Sequence, residues 1–80
     1  MRRDVRALVA GIANLAVPLA ELDDDADLFE AGMSSIEAVT LVVALETKFD
    51  LRFDQELMQI DTFRSIASID AAVAKAASRA

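Results

Sequence analysis

Ser34 and Ser35 stand side by side just beyond Gly32, at the start of a long apolar stretch. A serine hydroxyl serves as a nucleophile, a helix cap or an attachment point. Nucleophilic catalysis needs a base within hydrogen-bond reach, and the chain has neither histidine nor cysteine. Its carboxylates show no spacing that implies acid–base work. An enzyme is therefore not expected. The same absences exclude thiolate nucleophiles, disulfides and histidine metal sites. Any thioester chemistry needs a thiol brought from outside the chain. Asp23, Asp25 and Asp27 alternate like the start of a calcium loop. Such a loop wants Gly at its sixth position and Glu at its twelfth, where this chain has Leu28 and Ser34. No metal site is assigned, and the run reads as a solvated acidic loop.

The two serines gain meaning from the helix they open. Glu37 follows Ser34 by three residues, completing a Ser-x-x-Glu capping box that gives the cap to Ser34. A helix start presents unpaired N–H groups and the positive end of the dipole. A phosphodiester placed there is electrostatically favoured. Gly32 permits a turn and keeps side-chain bulk away from the serines. Serine is also common at a helix start for capping alone.

Three main helices must position this point. In residues 4–16, Val5, Leu8, Val9, Ile12 and Leu15 recur at helical spacing, with Asp4 as N-cap or first-turn acid. Pro18 marks a boundary at Val17. Residues 17–33 form a long acidic connection with Leu19, Leu22, Leu28 and Phe29 as anchors. The helix from Ser34 to about Phe49 is apolar around most of its girth, so it is central or meets a partner. A second connection covers residues 50–61, with a short helix expected at 54–59. Asp61 or Thr62 is read as the cap of a last helix over residues 63–77. Nothing alternates as strand. The expected fold is all-α: three main helices plus one short one, a small four-helix bundle with a long first loop. Val39, Val43, Leu45, Phe49, Phe63 and Ile66 are expected to help line its interior.

With 80 residues, the chain is read as a single domain, residues 1–80. The apolar fraction of 55% suffices for a core, yet no apolar run is long enough to span a membrane. No signal peptide is read from the basic start, so a soluble, cytoplasmic monomer is expected. The net charge of −6 disfavours nucleic acid, whose phosphates need clustered Lys and Arg. It favours partners with basic docking surfaces.

The stretch Asp27-Leu28-Phe29-Glu30-Ala31-Gly32-Met33-Ser34-Ser35-Ile36 resembles the acyl carrier protein family. The family pattern sets a Gly, a variable residue and then Asp-Ser-Leu after an apolar-anchored loop. The likeness continues through Val43-Ala44-Leu45-Glu46, Phe49-Asp50, Phe53 and Ile60-Asp61-Thr62-Phe63, covering residues 4–73. It implies that Ser35 bears a 4′-phosphopantetheine arm, with Gly32 and Ser34 adjacent. A phosphopantetheinyl transferase would add the arm. Acyl-loading and acyl-transfer enzymes would then use its thiol in fatty-acid, lipid or polyketide-type biosynthesis. Met33, Ile36, Glu37, Val39, Thr40, Val43 and Glu46 are the implied partner surface. An aminoacyl or D-alanyl-type carrier is the first alternative, and a non-carrier helical interaction domain the second. The family usually has Asp where this chain has Ser34, and acids where it has Thr40, Thr47 and Lys48. These departures point to a specialised carrier with dedicated partners.

Overall fold

The computed structural model describes residues 2–78. Three α-helices follow in order: α1 (Arg2–Ile12), α2 (Ser35–Phe49) and α3 (Ile66–Ser78). Single 3₁₀ turns at Leu19–Glu21 and Ile60–Phe63 interrupt the two connections. There is no strand among the described residues. The expected helix at 54–59 is a turn, in which the Leu57 and Met58 N–H groups donate to Asp54 and Gln55 carbonyls. Among the described residues the bundle thus has three α-helices rather than four. None is long and apolar enough to cross a membrane.

α1 ends earlier than its apolar spacing predicts, and competition for its N–H groups explains why. The Ala13 N–H still donates to Val9. The Asn14 N–H turns to the Glu37 carboxylate at 3.0 Å, and the Ala16 N–H to the Ala31 carbonyl at 2.8 Å. These distant acceptors pull the chain out of the helix before Pro18 is reached. At the other end Asp4 lies within the first turn and is not the cap.

α3 likewise begins at Ile66 and not at Phe63. Ser65 caps it, as its hydroxyl accepts the Ser68 N–H while the Ser68 hydroxyl accepts the Ser65 N–H. This is a reciprocal cap with serine in the place usually held by Glu. Asp61 and Thr62 fall instead in the preceding 3₁₀ turn.

The core is one cluster to which all three helices contribute. α1 supplies Val5 and Val9, four residues apart on one face. α2 supplies Ala38, Leu41, Val42 and Leu45, and α3 supplies Ile66, Ile69 and Val73. Burying each Leu or Ile contributes about 1.5–3 kcal/mol. Phe53 meets Phe63 edge-to-face at 5.9 Å, a favoured aromatic geometry.

The acidic first loop is fastened rather than loose. Arg6 reaches the Leu19 and Leu22 carbonyls and the Asp24 carboxylate, and Arg2 joins Asp24 to Asp70. Arg6, then Arg2, holds the Asp24 carboxyl below its usual range. Asp27 accepts the Phe29 and Glu30 N–H groups and pairs with Arg64 at 3.0 Å. Its carboxyl is also held low, chiefly by the Glu30 N–H. These pairs are solvent-screened, and their main effect is to fix where the loop lies against α1 and α3.

Candidate functional site

Ser35 is the first residue of α2, and its position depends on three neighbours. Ser34, in extended conformation, caps the helix. Its hydroxyl accepts the Glu37 N–H at 3.1 Å, while Glu37 Oε1 accepts the Ser34 N–H at 2.8 Å. The other Glu37 oxygen accepts the Asn14 N–H. One side chain therefore locks the helix start and ties it to the end of α1. The Ser34 N–H first, and then the Asn14 N–H, holds the Glu37 carboxyl below its usual value.

Gly32 is the third neighbour. Its φ of +124° is strained for any residue with a side chain. A Cβ there would meet the Asn14 carbonyl oxygen at 3.0 Å and the Ala16 nitrogen at 3.4 Å. The sequence suggested that Gly32 clears an approach to the serine. Its tighter constraint lies on the other side, where the turn packs against the backbone of residues 14–16.

With Ser34 committed to the cap, the Ser35 hydroxyl is exposed and makes no hydrogen bond among the described residues. The Ser35 and Ile36 N–H groups belong to the first turn, which has no intrahelical acceptors. An apolar groove of about 230 Å³ opens beside Ser35. Phe29, Val39, Val42, Met58, Ile60 and Phe63 line it, and Ser35 and Gln59 are its polar residues. The Arg64 guanidinium lies 6.0 Å from the Phe29 ring centre while pairing with Asp27 and Asp61. It thereby steadies one wall.

The residues expected to face partners separate into two groups. Ile36, Val39, Thr40 and Val43 are exposed on the outer side of α2. Met33 is not a surface residue, at 3% exposure within the core. Its position just before the helix turns it inward with Leu28, whose carbonyl accepts the Met33 N–H. Glu37 is half-buried and committed to the clamp. Glu46 Oε2 accepts the Phe53 N–H at 3.0 Å and anchors the chain leaving α2.

Val39 and Val43 were also expected inside, with Leu45, Phe49, Phe63 and Ile66. Leu45, Phe63 and Ile66 are buried and Phe49 is half-buried, but Val39 and Val43 are exposed. At about 100° per residue, Leu41 and Leu45 with Ala38 and Val42 fill the inner face, leaving these two valines opposite. Asn14, Met58 and Ile60 were missed as site neighbours. Met58 and Ile60 are exposed in the connection after α2, where no local pattern marks them as neighbours of Ser35.

A phosphodiester-linked, partly aliphatic arm fits these residues. Ser35 offers an exposed oxygen, the helix start offers N–H groups and partial positive charge, and the groove offers apolar contact. The family described as the phosphopantetheine attachment site matches residues 3–69. An aminoacyl carrier protein of Agrobacterium fabrum is 34% identical over 70 residues, covering 88% of this chain and 84% of that protein. The fold is similar to the carrier protein from Agrobacterium tumefaciens in a crystal structure with AMP and an engineered Bradyrhizobium japonicum glycine:carrier protein ligase. The TM-score is 0.88 at 34% identity, covering 92% of this chain and 99% of the other. A solution structure from Agrobacterium tumefaciens matches at a TM-score of 0.71 and 34% identity, covering 92% and 89% of the two chains. Proteins of this kind carry substrate for other enzymes and are not enzymes themselves. The chain belongs to the phosphopantetheine-attachment family of carrier proteins, and 4′-phosphopantetheine is its prosthetic group.

Proposed function

We propose that this chain carries an amino acid as a thioester on an arm attached through Ser35. The observation that carries the attachment is the division of labour at the start of α2. Ser34 and Glu37 do the capping, which leaves the Ser35 hydroxyl exposed and unengaged among the described residues. A phosphopantetheinyl transferase would supply the base. The Ser35 oxygen bonds to the pantetheine-side phosphorus of the coenzyme A pyrophosphate, the P–O bond to the adenosine-side phosphate breaks, the hydroxyl proton passes to that base, and adenosine 3′,5′-bisphosphate leaves. The first-turn N–H groups of Ser35 and Ile36 then stabilise the phosphodiester charge. The arm supplies the terminal thiol that the sequence lacks.

The relatives support an amino acid as the cargo. One is an aminoacyl carrier protein, and another is held in complex with a glycine:carrier protein ligase. They favour the aminoacyl role over the fatty-acid, lipid or polyketide role that the sequence put first. The groove beside Ser35 favours a second reading, an acyl carrier, because it would shelter an aliphatic chain.

The test offers the holo protein, ATP and either amino acids with an amino acid:carrier ligase or fatty acids with an acyl:carrier ligase. An intact-mass increase matching an amino acid, reversed by hydroxylamine, is the expected result. Loading only by the fatty acid would replace the aminoacyl reading with the second one.

A further inference from the structure

We infer that Glu37 is a positioning residue for attachment of the arm: by bridging the Ser34 and Asn14 N–H groups, its carboxylate fixes the start of α2 against the end of α1 and so sets where the Ser35 hydroxyl stands. This rests on the reading of Ser35 as the attachment site. The Ser35 hydroxyl makes no hydrogen bond among the described residues, so the backbone alone places it. Glu37 grips that backbone. Its Oε1 accepts the Ser34 N–H at 2.8 Å, next to Ser35, and its Oε2 accepts the Asn14 N–H at 3.0 Å, from 23 residues away.

Capping needs only the first of these bonds. Gln fills the same place in a capping box as Glu does, because one acceptor oxygen is enough. The second bond adds nothing to the local helix and joins it to a different element. Two acceptors on one side chain require a carboxylate, since a carboxamide has one oxygen and its NH2 would face an N–H. The Ser34 N–H, then the Asn14 N–H, holds the carboxyl below its usual value, so it is ionised at neutral pH and both oxygens accept. The turn before α2 is held against the same segment: the Ala16 N–H donates to the Ala31 carbonyl, and Gly32 packs on the Asn14 carbonyl. Glu37 extends this contact past Ser35, which is thereby fixed on both sides. A charge that meets the transferase is the competing role. It is disfavoured because Glu37 is half-buried and both its oxygens are spent on this chain.

The test compares the parent with Glu37→Gln and Glu37→Asp in arm transfer from coenzyme A by a broad-specificity phosphopantetheinyl transferase. Gln keeps the cap but loses the charge and one acceptor. Asp keeps the charge but is one methylene too short to span both N–H groups. In both variants kcat should fall about tenfold, as a misplacement below ~1 Å produces, while KM for the carrier stays within about twofold. Amide exchange at Asn14 gives a readout independent of transfer. It should be slow in the parent, although Asn14 lies outside α1, and faster by about tenfold or more in both variants. Ile69→Val, a core change on α3, controls for lost stability and should keep the parental kcat. A parental kcat in Glu37→Asp assigns the role to charge and overturns positioning. A parental kcat in both variants, a loss carried by KM, an equal loss in Ile69→Val, or an unprotected Asn14 amide in the parent also overturns it, and each leaves Ser35 standing as the attachment site. An arm mapped to any other residue of the parent overturns the attachment reading itself.

Discussion

Replacing Ser35 with alanine should abolish addition of the arm while leaving the fold intact. The lost oxygen is the one proposed to form the phosphodiester, so the effect is all-or-none and not graded. Stability should hardly change, since the Ser35 hydroxyl makes no hydrogen bond among the described residues and alanine is a better helix former. Ser34→Ala is the informative companion. It removes the cap, a loss typically of about 0.5–2 kcal/mol, yet it keeps the attachment oxygen. With coenzyme A and a broad-specificity phosphopantetheinyl transferase, intact mass should show one arm on the parent and on Ser34→Ala, and none on Ser35→Ala. An arm persisting on Ser35→Ala, or mapped by peptide mass to Ser34, would falsify the assignment.

Leu45→Ala and Val43→Ala, two residues apart on α2, should differ by several kilocalories per mole. Leu45 is fully buried in the shared core. Truncating such a leucine costs about 2–5 kcal/mol, a large share of the ~5–15 kcal/mol that stabilises a typical domain. At 4–8 °C of Tm per kcal/mol for a chain of this size, the melting temperature should fall by at least ~8 °C. Val43 is exposed, and its replacement should stay within about 0.5 kcal/mol. Urea unfolding followed by circular dichroism measures both. Comparable losses at the two positions would mean that α2 presents a different face to the core.

That contrast also marks what the sequence could and could not convey. The cap at Ser34 and the box with Glu37 were legible because they depend on residues three apart. The start and end of α2 follow from them and from Asp50, which closes the helix in left-handed conformation. The inner face of α2 was not legible, because Val39, Leu41, Val42, Val43 and Leu45 are apolar on nearly every side. Burial there is decided by where α1 and α3 lie. The second bond of Glu37 links residues far apart in sequence, and it shortens α1 in a way no local pattern announces. Ser65 was passed over as a cap because Asp61 and Thr62 offered stronger local signals, which a 3₁₀ turn absorbed. The acids of the first loop read as solvation, whereas Asp24 and Asp27 are paired with arginines that approach from α1 and the loop before α3. The cargo was least legible. Under the aminoacyl reading proposed above, the chain contributes the attachment point and the loading enzyme selects the amino acid.

The intact mass of this protein purified from its native cells under mildly acidic conditions, before and after hydroxylamine, tests the account most directly. The account predicts a fraction bearing 4′-phosphopantetheine plus an amino acid on Ser35, with the amino acid alone released by hydroxylamine. A population bearing a fatty acyl group, or the arm on any other residue, would contradict it.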